Sequence, residues 1–153
     1  MTQAIQTVAE HISQMLEHQS VAIVSTLRQL QPFQHIVSHA FSADLRNIYF
    51  ATQANNAFGI NIKEQPSVNI IWDNRTGDIE EEILEAYLTA SGFASKLSDM
   101  KARMAKSMIL SRQPNLSAFL EQHSVAIFSV QVHTYHYHRH DQDTAFFHPN
   151  KLD

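Results

Sequence analysis

The sequence predicts an α+β fold in which a largely antiparallel sheet closes into a small barrel. Short β-branched runs crowd the first half of the chain, helical patterns are too few to alternate with them as βαβ units, and the connections suit hairpins. The length of 153 residues, with 44% hydrophobic and 17% charged, suits one domain over 1–153. A chain of about 150 residues buries roughly 68–70% of its unfolded surface, enough to fold without covalent staples.

From Thr2 to Gln19, Ile5, Val8, Ala9, Ile12, Met15 and Leu16 recur at helical spacing and predict an amphipathic opening helix. Ser20–Leu27 is a β-branched strand running into a proline-marked turn at Arg28–Pro32, and His35–Phe41 and Asn47–Thr52 are two further strands of a meander. Asn55 or Asn56 caps a short helix that runs through Glu64 and buries Phe58, Ile62 and Ile60 before Pro66 stops it. The strand Ser67–Trp72, a turn at Asn74–Asp78 and a strand Ile83–Ala94 follow. On that last strand Leu84, Ala86, Leu88, Ala90 and Gly92 share one face, small enough to admit a close neighbour.

Ser98 caps a helix in which Met100, Met104 and Met108 recur every fourth residue and read as its core stripe. A short helix after Pro114 leads into a long final strand, Ser124–His140. The text Leu16-Glu17-His18-Gln19-Ser20-Val21-Ala22-Ile23 nearly repeats as Leu120-Glu121-Gln122-His123-Ser124-Val125-Ala126-Ile127. One echo is too little for a solenoid and indicates a helix-to-strand junction used twice.

Composition excludes several chemistries. No cysteine is present, which removes disulfides, thiolate zinc sites and cysteine nucleophiles. Only Gly59, Gly77 and Gly92 occur, so neither a dinucleotide fingerprint nor a glycine-rich phosphate loop is written here. A net charge of −4 argues against a nucleic-acid partner. No apolar run approaches the roughly 20 residues of a membrane span, and the start of the chain lacks a targeting pattern, so a cytoplasmic protein with no membrane partner is expected.

Ten histidines are the most unusual count. His136, His138 and His140 fall on one face of the final strand at about 6.6 Å intervals, with His133, Tyr135, Tyr137 and Arg139 on the other. Neighbouring imidazoles can ligate a metal. A solvated edge strand blunted by polar side chains accounts for the same pattern, and no stoichiometric metal or haem is expected. His11 and His18 are expected at the surface, the Glu80-Glu81-Glu82 run with Glu85 in solvent, and Trp72 in core or interface packing.

The stretch from Ile48 through Val68, with Phe50-Ala51-Thr52 feeding a short helix and Gln65-Pro66-Ser67-Val68 entering the next strand, resembles the pyridoxamine 5'-phosphate oxidase-like FMN-binding split barrels. The Val21–Thr26, His35–Phe41 and Ala86–Ala94 strands occur in the order of that family, and the resemblance runs from about Ile12 to about Val132. It implies a six-stranded antiparallel split β-barrel with flanking helices, a homodimer, and flavin mononucleotide (FMN) in a groove between subunits. It also implies cofactor contacts from His35, Val37, Ser38 and Phe50 on the strands, with the phosphate near Thr52, Asn55 and Asn56 at the helix start.

Relatives place basic residues where this chain has Ala57 and Phe58. The phosphate then loses charge-assisted hydrogen bonds, so FMN is expected to bind weakly or to have been lost. No catalytic acid, base or nucleophile is identified, and no arginine pair of a true pyridoxamine phosphate oxidase. The function implied is an FMN-dependent oxidoreductase of a small molecule. The alternatives are a non-enzymatic haem- or ligand-binding barrel and a cofactor-free interaction module. Dimerisation is also expected because Ile70, Trp72, Phe128 and Val130 look too numerous for one barrel interior.

Overall fold

The computed structural model describes residues 6–75, 86–139 and 143–151. Helix α1 (Val8–His18) begins at a capping box in which the Thr7 hydroxyl accepts from the Glu10 amide and the Glu10 carboxylate accepts from the Thr7 amide. Strands β1 (Val21–Arg28) and β2 (Gln31–Phe41) form a hairpin whose two turn residues, Gln29 and Leu30, both take positive φ. The turn is therefore tighter than the Arg28–Pro32 expectation, and Pro32 is already in β2, opposite Leu27.

Strand β3 (Asn47–Gln53), helix α2 (Ala57–Glu64), β4 (Ser67–Asp73) and β5 (Ala86–Lys96) follow. Helix α3 (Asp99–Arg112), a 3-10 turn, the short helix α4 (Ser117–Leu120), β6 (Val125–Arg139) and a three-residue strand β7 (Ala145–Phe147) complete the order. The sheet runs β3-β2-β1-β4-β5-β6, and β3 pairs with β6 to close an antiparallel six-stranded barrel; β7 is added beside β6. Glu80, Glu81, Glu82, Ile83, Leu84, Glu85 and His140 lie outside the described residues.

Alternation along the strands divides the core in two. Val24, Ile48, Phe50, Ile70, Trp72, Leu88, Phe128, Val130 and Tyr135 fill the barrel, with Ile12 and Leu16 of α1 and Phe58 and Ile62 of α2 packed onto them. The opposite faces of β2, β3 and β6 present Ala40, Tyr49 and Ile127 to Ala105 and Ile109 of α3. Helix α1 meets the Gln19 end of β1, and α2 the Thr26 end. No helix among the described residues is long and apolar enough to cross a membrane.

Several expectations are corrected. Ile70, Trp72, Phe128 and Val130 are all buried within one chain, so they give no reason for a dimer. The methionine stripe is only in part the core face of α3: Met100 is 75% and Met104 51% exposed, Met108 packs half-buried at the edge of the contact, and small Ala105 with Ile109 forms its buried centre. Ile60 faces solvent because the buried positions of α2 are 58, 59, 61 and 62. The final strand is no edge, since β6 is bonded to β5 on one side and to β3 and β7 on the other. A bulge opposite Ser91/Gly92 shifts its phase, so that Val132 and Tyr135 are both buried and His133 is exposed against Phe93. His11 is half-buried, stacked on Tyr137.

Candidate functional site

The split in the barrel lies between β2 and β3. They pair only at His39–Phe41, while β2 pairs with β1 along Gln31–Ser38. The other edge of β2 over residues 31–38 therefore has no strand partner among the described residues and keeps unpaired backbone donors and acceptors. Beyond His39 pairing stops because β3 continues into Thr52 and Gln53, bonded to β6, and then turns into α2. The helix start and the free strand edge are thereby brought to the same end of the barrel as Thr26.

Asn56 is the N-cap of α2, and its Oδ1 accepts from the Gly59 amide at 3.2 Å. Its amide group donates to the Thr52 hydroxyl. Asn55 is exposed. The amides of Ala57 and Phe58 belong to the first helical turn, where no intrahelical acceptor exists, and the turn carries no acidic residue. Phe58 is fully buried, edge-on to Phe50, Phe128 and His35. An aromatic plug thus occupies the first turn of α2, where the sequence reading expected a cation in a phosphate site.

His35 is half-buried, and burial holds its pKa below the ordinary histidine value. Its Nε2 lies 2.9 Å from the Thr26 hydroxyl, which is itself 2.9 Å from Asn61 Nδ2. Thr26 and Asn61 are buried, and Asn61 Oδ1 has no partner among the described residues. The side chains of Val37 and Phe50 face the barrel core, leaving only their backbone open to a ligand, and Ser38 is half-buried. His35, Thr52, Asn55 and Asn56 thus gather around the start of α2, whereas Val37 and Phe50 form the wall behind it.

Two features escaped the sequence. Thr26 and Asn61 are 35 residues apart and carry no motif, so only the packing of α2 on β1 reveals their contact. A groove of about 340 Å³ on the outside of the barrel is lined by Ser25, Leu27, Pro32, Asn69, Ser91 and His133 among others. Strand alternation makes these positions outward, but which strands adjoin depends on the closure.

On β6, His136 and His138 share the outer face with ring centroids 6.1 Å apart. His138 stacks on Tyr87 and its Nδ1 lies 2.9 Å from the Thr144 hydroxyl, while His136 is edge-on to Phe146. Burial first, and the neighbouring His136 second, lower the His138 pKa. No group of three or more potential metal ligands is assembled among the described residues.

No protein-family model matches the chain, and no curated protein matches it. Solved structures do. A haem-binding protein from Mycobacterium smegmatis superposes with a TM-score of 0.82 at 12% identity over 95% of this chain, which spans 60% of the length of that protein. The general stress protein 26 of Bacillus anthracis matches at 0.73 and 19% identity, covering 94% of this chain and 99% of that one. A related protein of the pyridoxinephosphate oxidase family from Clostridium acetobutylicum matches at 0.69 and 14%, covering 92% and 93%. Identities this low establish shape and not activity. The closed six-stranded barrel, its helices and these likenesses together show that the chain has the pyridoxamine phosphate oxidase-like split-barrel fold.

Proposed function

We propose that the protein is a homodimeric, cytoplasmic, flavin-binding split barrel that uses FMN to oxidise or reduce a small molecule. The observation that carries this reading is the free edge of β2 over residues 31–38, which runs past His35 toward the start of α2. The pyrimidine side of a flavin presents carbonyl acceptors on either side of an N–H donor, a pattern complementary to unpaired strand backbone. His35, Val37 and Ser38 would meet the ring, Val37 through its backbone. Phe50 would support that wall from within, and the phosphate would rest on the amides of Ala57 and Phe58 beside Thr52, Asn55 and Asn56.

The residues fit the ring better than the phosphate. Thr52 and Asn56 already bond to each other, and positions 57 and 58 supply no cation. An anion held by amides and a helix start alone keeps the geometry of a phosphate site and lacks its charge-assisted bonds. Bound flavin would supply hydride or electron transfer, and the chain would orient it and exclude water.

The protein should therefore bind added FMN with modest affinity and riboflavin more weakly, with a larger rise in melting temperature for FMN. An Ala57→Arg variant should strengthen FMN binding about tenfold and leave riboflavin unchanged. Equal stabilisation by both ligands in both proteins would refute the phosphate site.

The haem-binding alternative is favoured by one feature: with Nδ1 of His138 beside Thr144, its Nε2 has no hydrogen-bond partner among the described residues and would be the nitrogen to hold iron beside His136. The absorption spectrum of purified protein titrated with haemin separates the two readings. A Soret shift abolished in His138→Ala would establish the haem reading.

A further inference from the structure

The Thr26 hydroxyl is a buried polar group with neighbours on two other elements, Asn61 on α2 and His35 on β2, each at 2.9 Å. An amide nitrogen only donates, so the Thr26 oxygen accepts from Asn61 Nδ2. Among the hydrogen bonds of the described residues its own hydrogen has no acceptor other than His35 Nε2, a contact in which Nε2 accepts when the ring is the Nδ1–H tautomer. An imidazole that accepts at Nε2 carries its proton on Nδ1.

We infer that Asn61 and Thr26 are positioning residues that lock His35 in the Nδ1–H tautomer, so that the ring offers a fixed hydrogen-bond donor at the free edge of β2. Such a site selects planar heterocycles with an acceptor, a carbonyl oxygen or ring nitrogen, on the edge they turn toward the strand. The half-buried setting of His35 favours its neutral form. Phe58, packed edge-on against the ring at 5.4 Å between centroids, limits its rotation. Asn61 is the anchor of the relay because it is fully buried and α2 cannot turn it toward solvent. The proposal rests on a ligand lying along β2 and adds which atom of the chain that ligand must satisfy.

The relay and the ligand contact are tested separately. Long-range ¹H–¹⁵N spectra of the ligand-free protein, with His35 assigned by loss of its signals in His35→Gln, should show the Nδ1–H tautomer. Thr26→Val is nearly isosteric and should move His35 to the Nε2–H form that histidine prefers in water, whereas Thr26→Ser should restore Nδ1–H. Wild-type protein in the Nε2–H form, or a Thr26→Val variant with the wild-type tautomer, would overturn the relay. Riboflavin, which lacks the phosphate, should bind Thr26→Val about tenfold more weakly than wild type, and Thr26→Ser within about twofold of it. Equal riboflavin affinity across the three proteins, or none in wild type, would overturn the ligand role of His35. The tautomer of the ligand-free protein would still decide the relay, so that failure is distinct from failure of the flavin reading.

Discussion

At the scale of single residues, burial puts His39 under electrostatic stress. It is fully buried against Trp72, its Nε2 donates to the Gln19 carbonyl at 2.6 Å, and its Nδ1 has no partner among the described residues. Burial pushes its pKa down to about 4, the Arg112 charge adds to that, and the Gln19 carbonyl opposes it. The unfolded chain binds a proton at this ring near pH 6.5 and the folded one does not, so its contribution is complete above pH 6.5 and lost as the pH falls toward 4. A shift of this size corresponds to roughly 3 kcal/mol. His39→Gln keeps a donor for the Gln19 carbonyl and should flatten the stability profile between those pH values, measured by urea unfolding. An unchanged acid dependence would show that another group controls it. Neither His39 nor Phe58 was legible as stressed or plugging. The sequence shows a histidine in a strand and an apolar residue in a helix, and only the assembled core shows what surrounds each.

At the scale of elements, most helices and strands were legible because their apolar spacing is dictated by the same burial that forms them. Asn56 as a cap, Phe58 and Ile62 as the buried face of α2, and the small inward face Ala86, Leu88, Ala90 and Gly92 on β5 all stand where periodicity puts them. Phase errors arose where geometry changed without a sequence signal. On β6, the bulge lets the backbone of Gln131 approach Gly92 so closely that a Cβ there would lie 2.2 Å from its carbonyl oxygen, and that crowding turns His133 away from the Tyr135 face. On α3, Ala105 and Ile109 make the buried contact with the wall of β2 and β3, and of the three methionines only Met108 packs partly against it. The β1–β2 turn carries backbone strain. Gln29 and Leu30 adopt positive φ that costs L-residues roughly 1–2 kcal/mol each, and Leu30 is 93% exposed, so it gains no burial in return. Asn-Gly suits such a turn. The double substitution Gln29→Asn, Leu30→Gly should raise stability by about 1–2 kcal/mol, read as a higher melting temperature with unchanged flavin affinity. No gain would show that the turn is not strained in solution.

At the scale of the whole molecule, α3 covers only part of the barrel wall, and the rest carries exposed apolar residues. Ile36 is 78% exposed and lies directly across from Ile23, which pairs in turn with Ile71, while Val21, Leu27 and Phe93 extend the patch. The proposed homodimer would bury this row. Light scattering should then give a dimer for the wild type and a monomer for Ile36→Asp at micromolar concentration, with dimer affinity lowered by about a hundredfold or more. A wild-type monomer would refute the dimer. The six-stranded closure followed from the family resemblance and not from spacing, because no local pattern says which strands will meet; the β3–β6 partners are about 70 to 85 residues apart, as with Gln53 and Val125 or Asn47 and Gln131. That seam also sets the kinetics of folding. On the ribosome the meander β1–β3 can form from neighbouring segments, but β3 and β5 each wait for β6, so the nascent chain carries two open sheet edges until Val125–Arg139 is synthesised. High contact order of this kind slows folding and leaves an interval in which strand edges of different chains can pair with one another.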